Sequence, residues 1–288
     1  MIIGCRNTII EETLIDSVKL LPFLFITYWL MEYIEHKTSN KVKDVIKKSG
    51  KFGPLLGAIV GIFPQCGFSV SATNLYAGRV ITLGTLISVY LATSDEMLPI
   101  LLTEAVPAGT IFTILGIKLV LGIVAGFIID FVIRMFRKEK VEEQEEKIEE
   151  ICEHEHCHCE EGIVTSAIKH TLNITIFIFF ITLVLNGIIA YIGEDTIAHF
   201  ISKNVILGPI VAGLIGLIPN CASSVILTEL FISNVISMPV LISGVAVNAG
   251  VGLLVLFKTN KNVKENIKIV GILYLIGVLA GIILELFL

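Results

Sequence analysis

Charge is scarce in this sequence. Asp, Glu, Lys and Arg make up 16% of its 288 residues, against about 25% in an average soluble chain. Essentially no room is left for a soluble domain. No GxxxxGK[ST] loop or other nucleotide signature occurs, which argues against a built-in ATPase. The opening stretch, MIIGCRNTIIEETLID, lacks a basic n-region followed by a cleavage site, so no removable signal peptide is expected. The six cysteines are not spaced as a secreted disulfide framework. The formal charge of −5 is uninformative, because much of the acid sits between Glu142 and Glu161. Nothing points to nucleic acid as a partner.

Apolar sequence is abundant. Hydrophobic residues make up 55% of the chain, and mean hydropathy is +0.87. Runs near the roughly 20 residues needed to span a bilayer recur throughout. These features predict an all-α polytopic membrane protein with the lipid bilayer as its surroundings. They leave the oligomeric state open, a homo-oligomer included.

The chain also contains itself twice. Residues 53–88 read GPLLGAIVGIFPQCGFSVSATNLYAGRVITLGTLIS, and residues 208–243 read GPIVAGLIGLIPNCASSVILTELFISNVISMPVLIS. Cys66 and Cys221 differ by 155 (221 − 66), and so do Gly53/Gly208, Pro64/Pro219, Thr73/Thr228, Ser88/Ser243 and Gly126/Gly281. Duplicated halves with Pro-interrupted apolar stretches at matching places point to a transporter and to its binding site. The predicted organisation is a first membrane repeat (1–136), an acidic His/Cys-rich linker (137–162) and a second membrane repeat (163–288).

Lys/Arg excess marks the cytoplasmic side. It places 36–51, Arg134–Lys140 and Lys258–Lys268 inside. Full spans are then expected at 14–34, 80–103, 110–133, 171–191, 235–257 and 269–288. The segments 53–78 and 208–232 break at Pro64 and Pro219. Each arm has about 12 residues, roughly 18 Å of helix, too short for a core of about 30 Å. A re-entrant hairpin in each half keeps the charge rule, whereas a single kinked span would put Arg134–Lys140 outside. Three spans plus one hairpin is an odd number of crossings, so the second half is expected to be inverted. The hairpin tips should meet near the midplane.

The tips carry Gln65 and Cys66 in one half and Asn220 and Cys221 in the other. Ser69, Thr73, Ser224 and Thr228 follow on the outgoing arms, and Asn248 lies in a neighbouring span. These nine are the candidate substrate-binding residues, since broken helix ends offer partial charges to an ion. Small polar residues also serve as helix glue, and buried Cys is often a small hydrophobe. Asp95, Glu96 and Lys118 are ionisable groups inside spans, which makes them functional candidates. At equal depth, Lys118 could pair with Asp95 or Glu96, and a carboxylate freed from that pair could carry protons.

The linker contains ICEHEHCHCEE (151–161). Cys152, His154, His156, Cys157, His158 and Cys159 are thiolate and imidazole donors that suit Zn²⁺ or a similar soft divalent metal. On the cytoplasmic side thiols stay reduced, and the tract could capture metal or sense it. No other cofactor is expected.

LLPFLFITYWLMEYIEHK (20–37), GKFGPLLGAIVGIFPQCGFS (50–69), TSDEMLPIL (93–101) and GPIVAGLIGLIPNCASSV (208–225), with a His-rich middle loop, resemble a bacterial membrane family. Its members are described as heavy-metal exporters, often labelled arsenic efflux proteins, with ten transmembrane segments. The resemblance covers nearly the whole chain. Counting each hairpin arm as one segment gives five per half, which matches. It implies export of a metal or metalloid ion. The alternatives are a carrier for an organic anion or other small solute with a regulatory loop, or a channel. Intramembrane charge favours a coupled carrier over a pore. No nucleophile–base spacing suggests an enzyme.

Overall fold

The computed structural model describes residues 52–64, 66–94, 96–136, 163–192 and 207–287, together with positions 14, 15, 18, 21, 22, 25, 26 and 29. Among these residues every regular element is a helix. The first repeat supplies α1 (Gly53–Gly61), α2 (Cys66–Ala77), α3 (Leu83–Ala92), α4 (Met97–Thr103) and α5 (Ala108–Phe136). α6 (Ile163–Ile192) follows. The second repeat supplies α7 (Leu207–Gly216), α8 (Cys221–Ile232), α9 (Met238–Val247), α10 (Gly252–Thr259) and α11 (Val263–Phe287). Shifting α2 or α3 by the repeat spacing gives the bounds of α8 or α9. Four stretches among the described residues are long and apolar enough to cross a membrane: 83–103, 108–135, 238–259 and 263–287. The protein is a multi-pass membrane protein. Phe112, Phe127 and Phe131 on α5, and Leu275, Leu279 and Ile283 on α11, are exposed as lipid-facing side chains are.

The two repeats make the same local contacts. α3 packs against α1 and α5, and α9 packs against α7 and α11. Small residues let these helices approach closely. A Cβ on Gly126 would lie 2.7 Å from the Gly84 carbonyl oxygen, and one on Gly281 would lie 2.6 Å from Ser243 Cβ. Ser88 donates to the Pro54 carbonyl at 2.5 Å, and Ser243 donates to the Pro209 carbonyl at 2.7 Å. A carboxylate holds the start of each central helix. Thr82 Oγ1 and the Gly84 N–H donate to Asp130 at 2.7 and 2.9 Å, and Ser237 donates to Glu285 at 2.8 Å. Negative charge at a helix N-terminus is favourable, so these acids have a structural task.

One expectation needs correction. The segments 80–103 and 235–257, expected as continuous spans, are both interrupted. α3 stops at Ala92 and α4 starts at Met97; α9 stops at Val247 and α10 starts at Gly252. The break at Asn248 is stabilised locally, because its side-chain oxygen accepts the Gly250 N–H at 2.7 Å and Gly250 takes φ 54°. Each repeat therefore has two discontinuous segments. Between repeats, α2 lies along α10, α8 lies along α4, and the central helices α3 and α9 touch.

Candidate functional site

Pro64 and Pro219 each stand two residues before a new helix. Proline lacks the N–H that would extend the preceding helix. α1 accordingly ends in a tightened turn, with the Ile62 N–H donating to Ala58 and the Phe63 N–H to Val60. The chain then restarts helically at Cys66, and at Cys221 in the second repeat. Both cysteines are thus the first residues of 12-residue helices. Their N-terminal ends, which carry partial positive charge, converge on one place. Cys66 Sγ and Cys221 Sγ lie 2.9 Å apart. No disulfide joins them, since that bond is about 2.05 Å long.

The thiol pair sits among Val70, Ile174, Ile178, Val251 and Val255, with Phe177 and Leu254 beside it. α2, α6, α8 and α10 together wall it in. Cys221 is 6% exposed and Cys66 is partly buried. Two soft donors among apolar walls are the chemistry that suits a thiophilic ion.

The hydroxyls on the outgoing arms turn back onto their own helices. Ser69 donates to the Cys66 carbonyl and Ser224 to the Cys221 carbonyl, both at 2.8 Å. Thr73 donates to Ser69 and Thr228 to Ser224, both at 2.7 Å. Ser69, Ser224 and Thr228 thus have carbonyl acceptors for their protons and can offer a ligand oxygen lone pairs, while Thr73 has a second acceptor in the Gly252 carbonyl at 3.2 Å. Thr73 Oγ1 also lies 2.6 Å from the Tyr90 hydroxyl. Asn220 is buried at the N-cap of α8. Asn248 Nδ2 donates to Ser223 Oγ at 3.0 Å, which ties the broken segment α9–α10 to α8. Gln65 lies outside the described residues.

Lys118 is fully buried on α5, and its ammonium donates to the Val245 carbonyl at 2.6 Å. It thus reaches across to α9 of the other repeat. Glu96 does not sit inside a continuous span as expected. It is the N-cap of α4, at the break. Asp95 lies outside the described residues, as do all six linker donors, Cys152, His154, His156, Cys157, His158 and Cys159. Among the described residues no group of three or more His, Cys, Asp or Glu is arranged to hold a metal.

Two features escaped the sequence reading. Tyr90, whose repeat counterpart is Val245, joins Thr73 and the Gly252 carbonyl where α2 meets α10. Arg79, just past α2, clasps Glu265 on α11 with two bonds of 2.9 and 3.1 Å. That hydrogen-bonded carboxylate holds the guanidinium above its ordinary pKa despite partial burial. An isolated Arg ending an apolar arm, and an isolated Glu within the basic 258–268 turn, were the signals available.

No curated protein and no solved structure matched the chain. A family model described as "Putative, 10TM heavy-metal exporter" matches residues 6–185, more than half of the sequence. That match runs through the break at Pro64, the break at 93–96, the linker and most of α6. The chain belongs to this family of ten-segment heavy-metal exporters.

Proposed function

We propose that the protein is a secondary active exporter of a thiophilic transition-metal or metalloid ion across the cell membrane, with Cys66 and Cys221 as its central ligands and protons as the coupling ion. The observation that carries this is the 2.9 Å approach of the two sulfurs, each at a helix break in a different repeat. Separation of two thiolates across a tetrahedral ion with bonds of about 2.3 Å is somewhat larger, so the tips would part slightly to admit it. Asn220, Asn248, Ser69, Ser224, Thr73, Thr228 and Gln65 form the polar surroundings.

The topology we propose has inverted repeats with two re-entrant hairpins. It is supported by packing of both hairpin ends near the start of the following helix. Gly53 lies against Thr85 at the beginning of α3, and α2 ends at Ala77, five residues before Thr82 caps that same helix. Asp95 or Glu96, the latter at the N-cap of α4, would exchange the proton. The linker tract would capture Zn²⁺ or a softer ion on the cytoplasmic side before it reaches the tips.

The test is uptake by inverted vesicles containing the full chain, over a panel of soft ions, arsenite and Mg²⁺. Cys66→Ser and Cys221→Ser should each abolish transport of the soft ions, with proton movement lost in parallel. Undiminished transport in either variant would remove the thiols from the site.

A further inference from the structure

α2 and α8 each lead away from the thiol pair along a seam between the repeats, and in the proposed inverted topology the two seams open to opposite sides of the membrane. The α2/α10 seam runs from Cys66 to Arg79, and the α8/α4 seam from Cys221 to Asn234. These seams are equivalent by sequence repeat but are closed differently. Along the first, Gly252 permits close approach, and a Cβ there would lie 3.1 Å from Ser69 Cβ. Its counterpart on the second seam is the bulky, buried Met97. At its end the first seam is shut by polar groups. Tyr76 and Arg79 of one repeat bind Glu265 of the other, Arg79 through both carboxylate oxygens. Asn260 braces the same carboxylate and Asn266. The corresponding positions on the second seam are Phe231, Asn234, Thr110, Ala105 and Ile111, and Phe231 and Ile111 there belong to an apolar cluster with Met97 and Leu101.

The backbone underlines the difference. Arg79 takes φ 59° and its counterpart Asn234 takes φ 56°. Asn tolerates this left-handed conformation and Arg does so less readily. A strained arginine is held in place by what its side chain does.

We infer that the Arg79–Glu265 clasp, with Tyr76 and Asn260, is the latch of the cytoplasmic gate, and that the α8/α4 seam is the opposite gate, sealed by apolar contact. The clasp is a partly buried ion pair with each side chain 24% exposed, so water can reach its edge and take over its hydrogen bonds when the seam parts. The cytoplasmic assignment follows from Lys258, Lys261, Lys264 and Lys268 around Glu265. The inference rests on the proposed transport site only in using Cys66 as a reporter of access.

The experiment measures labelling of Cys66 by a charged, membrane-impermeant maleimide. It uses the full chain with Cys5, Cys152, Cys157, Cys159 and Cys221 replaced by Ser, in inverted and right-side-out vesicles without metal. Arg79→Gln and Glu265→Gln should each raise the rate from the cytoplasmic face roughly 5–10-fold, the shift expected for losing a charge-assisted bidentate pair. The swap R79E/E265R should bring it back towards the parent rate, which a misfolded variant would not do. No rise, or an equal rise from both faces, would overturn the latch. A rise from the outer face alone would overturn its cytoplasmic placement. None of these readings depends on metal binding, so loss of the transport proposal would show separately.

Discussion

A mild oxidant should join the two halves of this chain by one covalent bond. The sulfurs of Cys66 and Cys221 lie 2.9 Å apart. Closing to a disulfide of about 2.05 Å asks each to move roughly half an ångström. Diamide can do this: it takes two electrons and two protons from the thiols, becomes the corresponding hydrazine, and leaves the S–S bond. The bond spans 155 residues, and the chain-entropy relation gives about 5 kcal/mol of stabilisation for a loop of that length. The assay uses a protease site placed within 137–162, in a chain whose other four cysteines are Ser. After cleavage, oxidised protein should run without reductant as a single species near the intact 31.5 kDa, and as two fragments once reduced. Cys66→Ser and Cys221→Ser should give two fragments in both lanes. A soft ion bound by the thiols should slow the oxidation. Two fragments from the oxidised, folded parent would refute the contact between the tips and everything built on it.

Packing gives a sharp contrast between glycines: Gly216→Ala would put a Cβ 2.1 Å from the Gly244 oxygen, while Gly116→Ala meets nothing within 4 Å. Thermal melting in detergent should show the first destabilised by about 1–3 kcal/mol and the second unchanged or up by about 0.5–1 kcal/mol; equal melting points would count against the packing of α7 on α9. Asp130→Ala removes the partner of Thr82 and of the Gly84 N–H, which should cost about 2–4 kcal/mol of stability in the same assay. Soft-ion affinity of the folded fraction should stay unchanged, and a selective loss of affinity would make Asp130 part of the site. A peptide covering 148–162 should bind Zn²⁺ with release of protons, since thiols and imidazoles must deprotonate to ligate; calorimetry in two buffers of different ionisation enthalpy reads the proton count, and none released would rule out thiolate ligation.

The positions of the helices were legible in the sequence wherever composition changes sharply. Pro64 and Pro219 mark the first break in each repeat because proline removes a backbone donor. The repeat spacing then makes contact between the cysteines a natural expectation, and their sulfurs do touch. The second break was missed because Thr93–Glu96 and Asn248–Val251 interrupt the helix without proline. An Asn side chain bonding two residues ahead and a Gly at positive φ end α9 quietly, inside an otherwise apolar run. Hydropathy averages over such a feature. The Arg79–Glu265 clasp was hidden for a different reason. Its partners lie 186 residues apart, and neither residue has a charged counterpart in the other repeat that would flag it. Lys118 was recognised as an ionisable group inside a span that could pair with Asp95 or Glu96, but its carbonyl partner Val245 on α9 carries no side-chain signature at all.

A residue that touches its own repeat counterpart must lie on the axis that relates the copies. Cys66 and Cys221 do so, hence an ion held between them, as proposed, would also sit on that axis. It would meet the same donor, the same helix end and the same following Ser from either side. In the inverted topology proposed above, a site of this kind would have no arrow: left to itself, it would pass ions equally well both ways. Direction has to be written in the places where the copies have diverged. Tyr90 against Val245, Lys118 against Leu273, Gly252 against Met97 and Arg79 against Asn234 are such places. In a duplicated protein, then, shared residues tell which ion is held, and the mismatched ones tell which way it goes.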